Sequence, residues 1–227
     1  MSSLKNGREG RGILARPALA LTIALSLALL MISAIPAAAQ SQAAPYQPLS
    51  AKEKNFLLRM AREPMDALLK GRNPRDLTAP GSMRRLNQSQ RLVMTLFLDG
   101  QFLARAWELR TPGVLQATTV SLAHRILESP DVGRAPTYDE MSRIRVGMAV
   151  IHDLKDIAND KEAQAGQALV ATIGMDFAVG LPSDLGRGYT PFQLFSKASE
   201  LSGLRSTAWL GDRATLYSGE VEEFFEN

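Results

Sequence analysis

The chain has 227 residues, with 26 Lys and Arg, 23 Asp and Glu, two His and no Cys. The absence of Cys excludes disulfides, thiol catalysis, zinc–thiolate sites and iron–sulfur clusters, so packing alone must stabilise the fold. Four of the 26 basic residues and one of the 23 acidic ones lie within the first 39 positions, so the remainder carries 22 of each; such a balanced chain has no field that would draw in nucleic acid.

Residues 1–39 read as a signal peptide. Lys5, Arg8, Arg11 and Arg16 precede an uncharged apolar run from Pro17 to Ile35, which ends at Pro36 and Ala37-Ala38-Ala39. Basic start, apolar middle and small-residue end are the three parts that export machinery recognises. Cleavage is expected after Ala39, leaving an exported chain, periplasmic or extracellular. The alternative is a retained anchor, because the run is about as long as the roughly 20 residues that span a bilayer; only then is a membrane a partner.

Residues 40–48 are a polar, Pro-containing linker, and 49–227 form one domain. Ser50 with Glu53 predicts a capping box opening a helix. Phe56, Leu57, Met60, Ala61, Met65, Leu68 and Leu69 recur at helical spacing along it, Pro64 is expected to kink it, and Gly71 to stop it. A loop is predicted over 72–90. Leu92–Leu98 then reads as a buried strand, Asp99-Gly100 as a two-residue hairpin turn, and Gln101–Leu109 as the return strand. A second helix is expected over 112–128, stopped by Ser129-Pro130.

Thr137 and Glu140 form another capping box. Ile144, Val146, Met148 and Val150 alternate with Arg143, Arg145, Gly147 and Ala149, which predicts a strand with one buried face. Residues 155–165 read as a polar surface segment. Two short strands follow, 168–173 and 177–181, then a helix opened by Thr190, Pro191 and Gln193 and ended by Gly203. A last strand covers 214–224. Helices mixed with hairpin-linked strands argue for an α+β domain: an antiparallel β-sheet with flanking helices.

Four stretches in this order resemble the AMMECR domain family, named for the AMME chromosomal region: LSAKEKNFLLRMAREPMDALLKG (49–71), LVMTLFLDGQFL (92–103), PTYDEMSRIRVGMAVI (136–151), and the tail of VGLP (179–182), PFQLFSKASELSGL (191–204), Trp209 and ATLYSGEVEEFFE (214–226). The resemblance implies an α+β fold with a cleft and an association with Memo-like and radical-SAM partner proteins; it names no reaction. The family's Leu-Arg-Gly-Cys-Ile-Gly motif is missing. The matching stretch reads Phe102-Leu103-Ala104-Arg105-Ala106-Trp107, with the Cys and both Gly gone.

Few residues could carry chemistry. No catalytic residue is assigned, and no metal or cofactor is expected, because His124 and His152 are not spaced to share a metal on one helix face. His152-Asp153 offers at most a weak metal contact. Ser121, His124 and Glu128 fall on one helical face, where they could form a nucleophile, base and orienter or simply a helix surface. Arg105 and Trp107 alternate onto one face of the return strand. There a guanidinium beside an indole suits an anionic or aromatic group, unless the pair serves packing.

Arg105, Trp107 and His124 are therefore the candidate ligand-binding residues. The reading is an exported module that binds an unidentified protein or small molecule. A hydrolase-like enzyme with a cleft around Arg105 and His124 is the alternative, and a membrane-tethered accessory subunit the third.

Overall fold

The structure is a computed structural model that describes residues 45–75 and 77–227. The expected signal peptide and most of the linker lie outside the described residues. Tyr46–Asn227 forms one compact unit, and among the described residues no helix is long and apolar enough to cross a membrane.

The architecture is α+β. Helix α1 spans Ala51–Leu69, α2 Leu115–Glu128 and α3 Pro191–Leu201. The strands are β1 (Ser89–Leu98), β2 (Gln101–Val114), β3 (Val132–Gly133), β4 (Ile144–Ile157), β5 (Ala168–Ile173), β6 (Asp176–Gly180) and β7 (Ala214–Phe225). They build one antiparallel sheet in the order β3-β2-β1-β4-β7-β5-β6.

Local chemistry sets several boundaries. The Ser50 hydroxyl accepts the Glu53 N–H while the Glu53 carboxylate accepts the Ser50 N–H, so α1 starts on a closed capping box. It runs unbroken through the buried Pro64. At its end Gly71 takes φ +63°, its N–H donates to Leu68 O and that of Arg72 to Ala67 O, the paired bonds of a Schellman stop. Asp99 and Gly100 both adopt positive φ, 50° and 81°, the type I′ geometry that matches the twist of the β1–β2 hairpin.

Three expectations are corrected. The return strand does not end at Leu109 with a helix from Pro112. β1 starts early, at Ser89, and Ser89 and Gln90 pair with Val114 and Gly113 beyond an irregularity at Arg91, which draws 110–114 into β2. β4 is buried on both faces from Val146 to Ile151, because it lies centrally between β1 and β7. It also continues to Ile157 where surface loop was expected: a register shift around Asp153, whose φ is 51°, lets Lys155–Ile157 rejoin β7. That half of the strand is largely solvated, so its polar residues hid it.

The core has three parts. Helices α1 and α2 cover one face of β2-β1-β4, burying Leu57, Met65, Leu122 and Ile126 against Leu92, Met94 and Met148. Helix α3 covers β5, β6 and β7, with Leu194 and Phe195 on Ala171, Ala178 and Leu216. The third cluster unites Val93 and Leu109 with Val170 and Val179. These come from strands near opposite ends of the sheet order, so the sheet curls over this face. The curl brings β2 close to the β5–β6 hairpin, where the candidate residues lie.

Candidate functional site

Arg105 stands on β2 inside the curl, and its side chain is 1% exposed. Its Nε donates to Thr95 Oγ1 on β1 at 2.9 Å, and Nη1 to Val179 O on β6 at 2.9 Å. Nη1 and Nη2 grip the Asp184 carboxylate at 3.0 and 2.5 Å. Four of the five N–H groups of a guanidinium are thus spent on protein. Arg105 closes the curl as a clasp between β2 and the short 3-10 turn Pro182–Asp184 that follows β6. The expectation that it faces a ligand is corrected: burial and the Asp184 fork leave no guanidinium surface for one. Nor does it stack on Trp107; its aromatic neighbour is Phe102, with the ring centroid at 5.4 Å.

Trp107, two residues on, does line a cavity. It is partly buried, packed on the third cluster, and borders a space of about 400 Å3. The walls come from β2 (Trp107, Arg110), α2 (Arg125), Asp131, the β5–β6 hairpin (Phe177) and the end of α3 (Ser202). Strand β3 pairs only with Ala104 and Arg105, so the β2 edge beyond it needs other partners. Two side chains supply them: Asp131 Oδ2 accepts the Trp107 N–H at 2.8 Å, and Arg125 Nη2 donates to Trp107 O at 2.7 Å. Arg125 also lies 3.7 Å from Glu108 and 4.0 Å from Asp131. Burial pushes the Asp131 carboxyl up, against the pull of the Trp107 N–H and Arg125.

Two polar atoms of residues that line this cavity, Arg125 Nε and Ser202 Oγ, are closed off from it by their neighbours and have no hydrogen-bond partner. A third, Ser199 Oγ, lies three residues back from Ser202 on α3 and is wholly buried; the fourth such atom among the described residues is Glu63 Oε2 on α1. A wider groove of about 570 Å3 beside Arg59, Arg62 and Arg145 has none of these atoms. There Arg62 donates to Met141 O, Ile144 O and Glu226.

The remaining candidates stand apart. His124, half-buried on α2, does not border the Trp107 cavity. No hydrogen bond joins it to Ser121 or Glu128 among the described residues, and Ser121 is exposed. His152 stacks on Tyr46 with centroids 4.2 Å apart, its Nδ1 3.2 Å from Asp153 Oδ2. Among the described residues, no group of three or more His, Asp or Glu could hold a metal ion.

Sequence reasoning missed Asp184, Arg125, Asp131 and Ser202. Arg125 and Asp131 flank the end of α2, but Asp184 and Ser202 come from segments that only the curl brings to β2, so no local spacing could mark the set.

No family model matches the sequence, and no curated protein matches it. Among solved structures the fold is similar to that of the uncharacterized protein PH0010 from Pyrococcus horikoshii, with a TM-score of 0.62 at 18% identity over 79% of this chain and 94% of that one. At that identity the likeness concerns the fold.

Proposed function

We propose that this chain is an exported, AMMECR-like binding module, and that its ligand is a small molecule held in the cavity beside Trp107. Export rests on the basic start, apolar run and Ala37-Ala38-Ala39 of the sequence. The family reading rests on four stretches in order; the hairpin and capping boxes within them form as expected. In place of the family motif, Arg105 is sealed by Asp184, and any shared use of that motif goes with it.

One observation carries the ligand reading: the partly buried Trp107 and Phe177 rings border a cavity of about 400 Å3 together with the charged side chains of Glu108, Arg110, Arg125, Asp131 and Asp176. The enzyme alternative has less behind it. Its Arg105 is enclosed, its His124 lies off the cavity, and Ser121, His124 and Glu128 make no mutual hydrogen bonds. The near-balanced charge beyond residue 39 favours neither nucleic acid nor a charged surface as partner.

The test is native mass spectrometry of the protein purified from an exporting host. The expected result is a chain beginning at Gln40 that carries a small molecule lost on Trp107→Ala. A bare chain, or one holding only a protein partner, overturns the small-ligand reading. A chain retaining residues 17–35 makes it a tethered protein.

A further inference from the structure

Charge separates the two hollows described above. The Trp107 cavity sets three carboxylates, Glu108, Asp131 and Asp176, against the guanidiniums of Arg110 and Arg125. The groove of about 570 Å3 beside α1 has the opposite balance: Arg59, Arg62 and Arg145 against Glu226 and a main-chain carboxylate at Asn227. The two hollows share no lining residue, so a ligand in the groove is independent of the one proposed beside Trp107.

Within the groove, Arg62 and Glu226 are engaged with each other and with the fold. Glu226 accepts from Arg62 Nε at 3.0 Å, from Arg62 Nη2, and from the Val146 N–H at 2.9 Å. The other bonds of Arg62 go to Met141 O and Ile144 O. Arg59 and Arg145 differ from it. Among the described residues neither forms an ion pair, and the one hydrogen bond they make between them runs from Arg145 Nε to Glu226 O at 2.6 Å. That bond, with the guanidinium over the Phe225 ring at 5.0 Å, fixes Arg145 while leaving both its Nη groups unused. Asn55 stands one turn before Arg59 on the same face of α1, and Ser142 lies in the turn before β4; both line the groove.

Two guanidinium forks that no protein carboxylate fills suit an oxyanion, which takes paired, charge-assisted N–H bonds from each. The Asn55 amide and the Ser142 hydroxyl add neutral donors. A cation would meet like charge, and a neutral ligand would not offset the desolvation of the guanidiniums. A long polyanion needs a track of cations. The adjoining hollow, which shares Arg62 and Ser142, brings Asp66 and Asp139 against Lys70, so the positive field ends with the groove. Its volume lies within the range of small-molecule sites, roughly 300–1,000 Å3. We propose that the groove between α1, the start of β4 and the end of β7 binds a small anion, whose carboxylate or phosphate group is held by Arg59 and Arg145.

The experiment titrates the protein, purified from an exporting host, by calorimetry at physiological ionic strength, where scattered surface charge is largely screened. One series uses inorganic phosphate and glycerol phosphate, a second succinate and citrate; glucose and spermidine serve as neutral and cationic probes. The expected result is saturable binding of at least one anion, weakened about tenfold or more by Arg59→Gln and by Arg145→Gln, since each removes charge-assisted bonds. Arg84→Gln, an exposed cation outside the groove, should leave it unchanged. Arg59→Gln decides if Arg145→Gln loosens the fold, because Arg59 is exposed and ties no other element down. The series that binds tighter tells phosphate from carboxylate.

Anion binding that Arg59→Gln leaves intact lies elsewhere and overturns the proposal. Binding that Arg84→Gln weakens as much as Arg59→Gln reflects net charge alone and overturns it too. So does a protein that no anion saturates, or one in which only glucose or spermidine binds.

Discussion

Arg105 and Asp184 are 79 positions apart in the chain, yet they share two hydrogen bonds with side chains 1% and 3% exposed. The pair links β2 to the turn after β6, so it holds the sheet in its curl. A buried ion pair of this kind stabilises little in itself, because desolvating both charges consumes most of their attraction. Removing one partner is another matter, since the other charge stays buried and uncompensated.

A double-mutant cycle at this pair therefore has a definite expected shape. Arg105→Met and Asp184→Leu should each cost about 3–5 kcal/mol, and the double variant less than either single one. Chemical denaturation at pH 7 measures it. Additive losses would show that the two groups act independently and that the clasp is not what holds β2 to β6.

Glu223 lies beside this clasp and gives it a pH dependence. Burial pushes its carboxyl up, aided by Asp184, while the Ser183 N–H and hydroxyl and Arg105 pull it down. A carboxyl raised in the folded state contributes stability that is full below its unfolded value, about 4.3, and that fades as pH rises through the folded value. Unfolding free energy should thus grow as pH falls through that raised value toward about 4.3, and Glu223→Gln should flatten part of that slope and raise stability at pH 7. Glu140 works in a separate window. The Arg134 guanidinium and then the Thr137 N–H hold its carboxyl down to about 2, so its contribution stands above the ordinary value near 4.3 and is lost only as pH falls toward 2. Thermal melts at stepwise pH on Glu223→Gln and Glu140→Gln separate the two. A wild-type slope above about pH 4.3 that Glu223→Gln leaves unchanged would rule Glu223 out.

Elements with local signals were legible in the sequence; contacts that cross the curl were not. Ser50 with Glu53, Thr190 with Gln193, and Asp99-Gly100 act within a few residues, and each stands where its spacing puts it. The outer half of β4 was hidden because one register shift and solvated faces leave no alternation to read. At the site, Trp107 does border a cavity, while Arg105 was misjudged. Strand periodicity gives the face on which a side chain lies, but whether that face meets solvent or Asp184 depends on a contact 79 residues away. The two-residue β3 had no hydrophobic signal of its own.

β3 depends on one backbone conformation. Gly133 takes φ +82°, and a Cβ there would stand 2.1 Å from Leu103 O. Neither the angle nor the space admits a side chain, so Gly133→Ala should cost at least about 2 kcal/mol, since strain of this kind amounts to roughly 1–3 kcal/mol before any clash. The Arg134 N–H, which donates to Leu103 O at 3.2 Å, should lose its protection from hydrogen exchange. Retained protection would mean that the turn relaxes without unpairing β3.

Beyond β3, Asp131 and Arg125 replace a neighbouring strand for Trp107, one accepting its N–H and the other donating to its carbonyl. The two roles of Asp131, edge acceptor and partly buried carboxylate, separate by substitution. Asp131→Ala removes the acceptor of the exposed Trp107 N–H and should cost about 0.5–1.5 kcal/mol. Asp131→Asn keeps an acceptor oxygen and sheds the charge whose burial pushes the carboxyl up, so at pH 7 it should equal or exceed the wild type in stability. The wild type should gain on Asp131→Asn as pH falls, because protonation removes the same charge. Denaturation of the three proteins at pH 7 and pH 5 decides the matter. If Asp131→Asn fell as far as Asp131→Ala at both pH values, the ion pair with Arg125, 4.0 Å away, would be what holds this edge, and the capped N–H would be incidental to it.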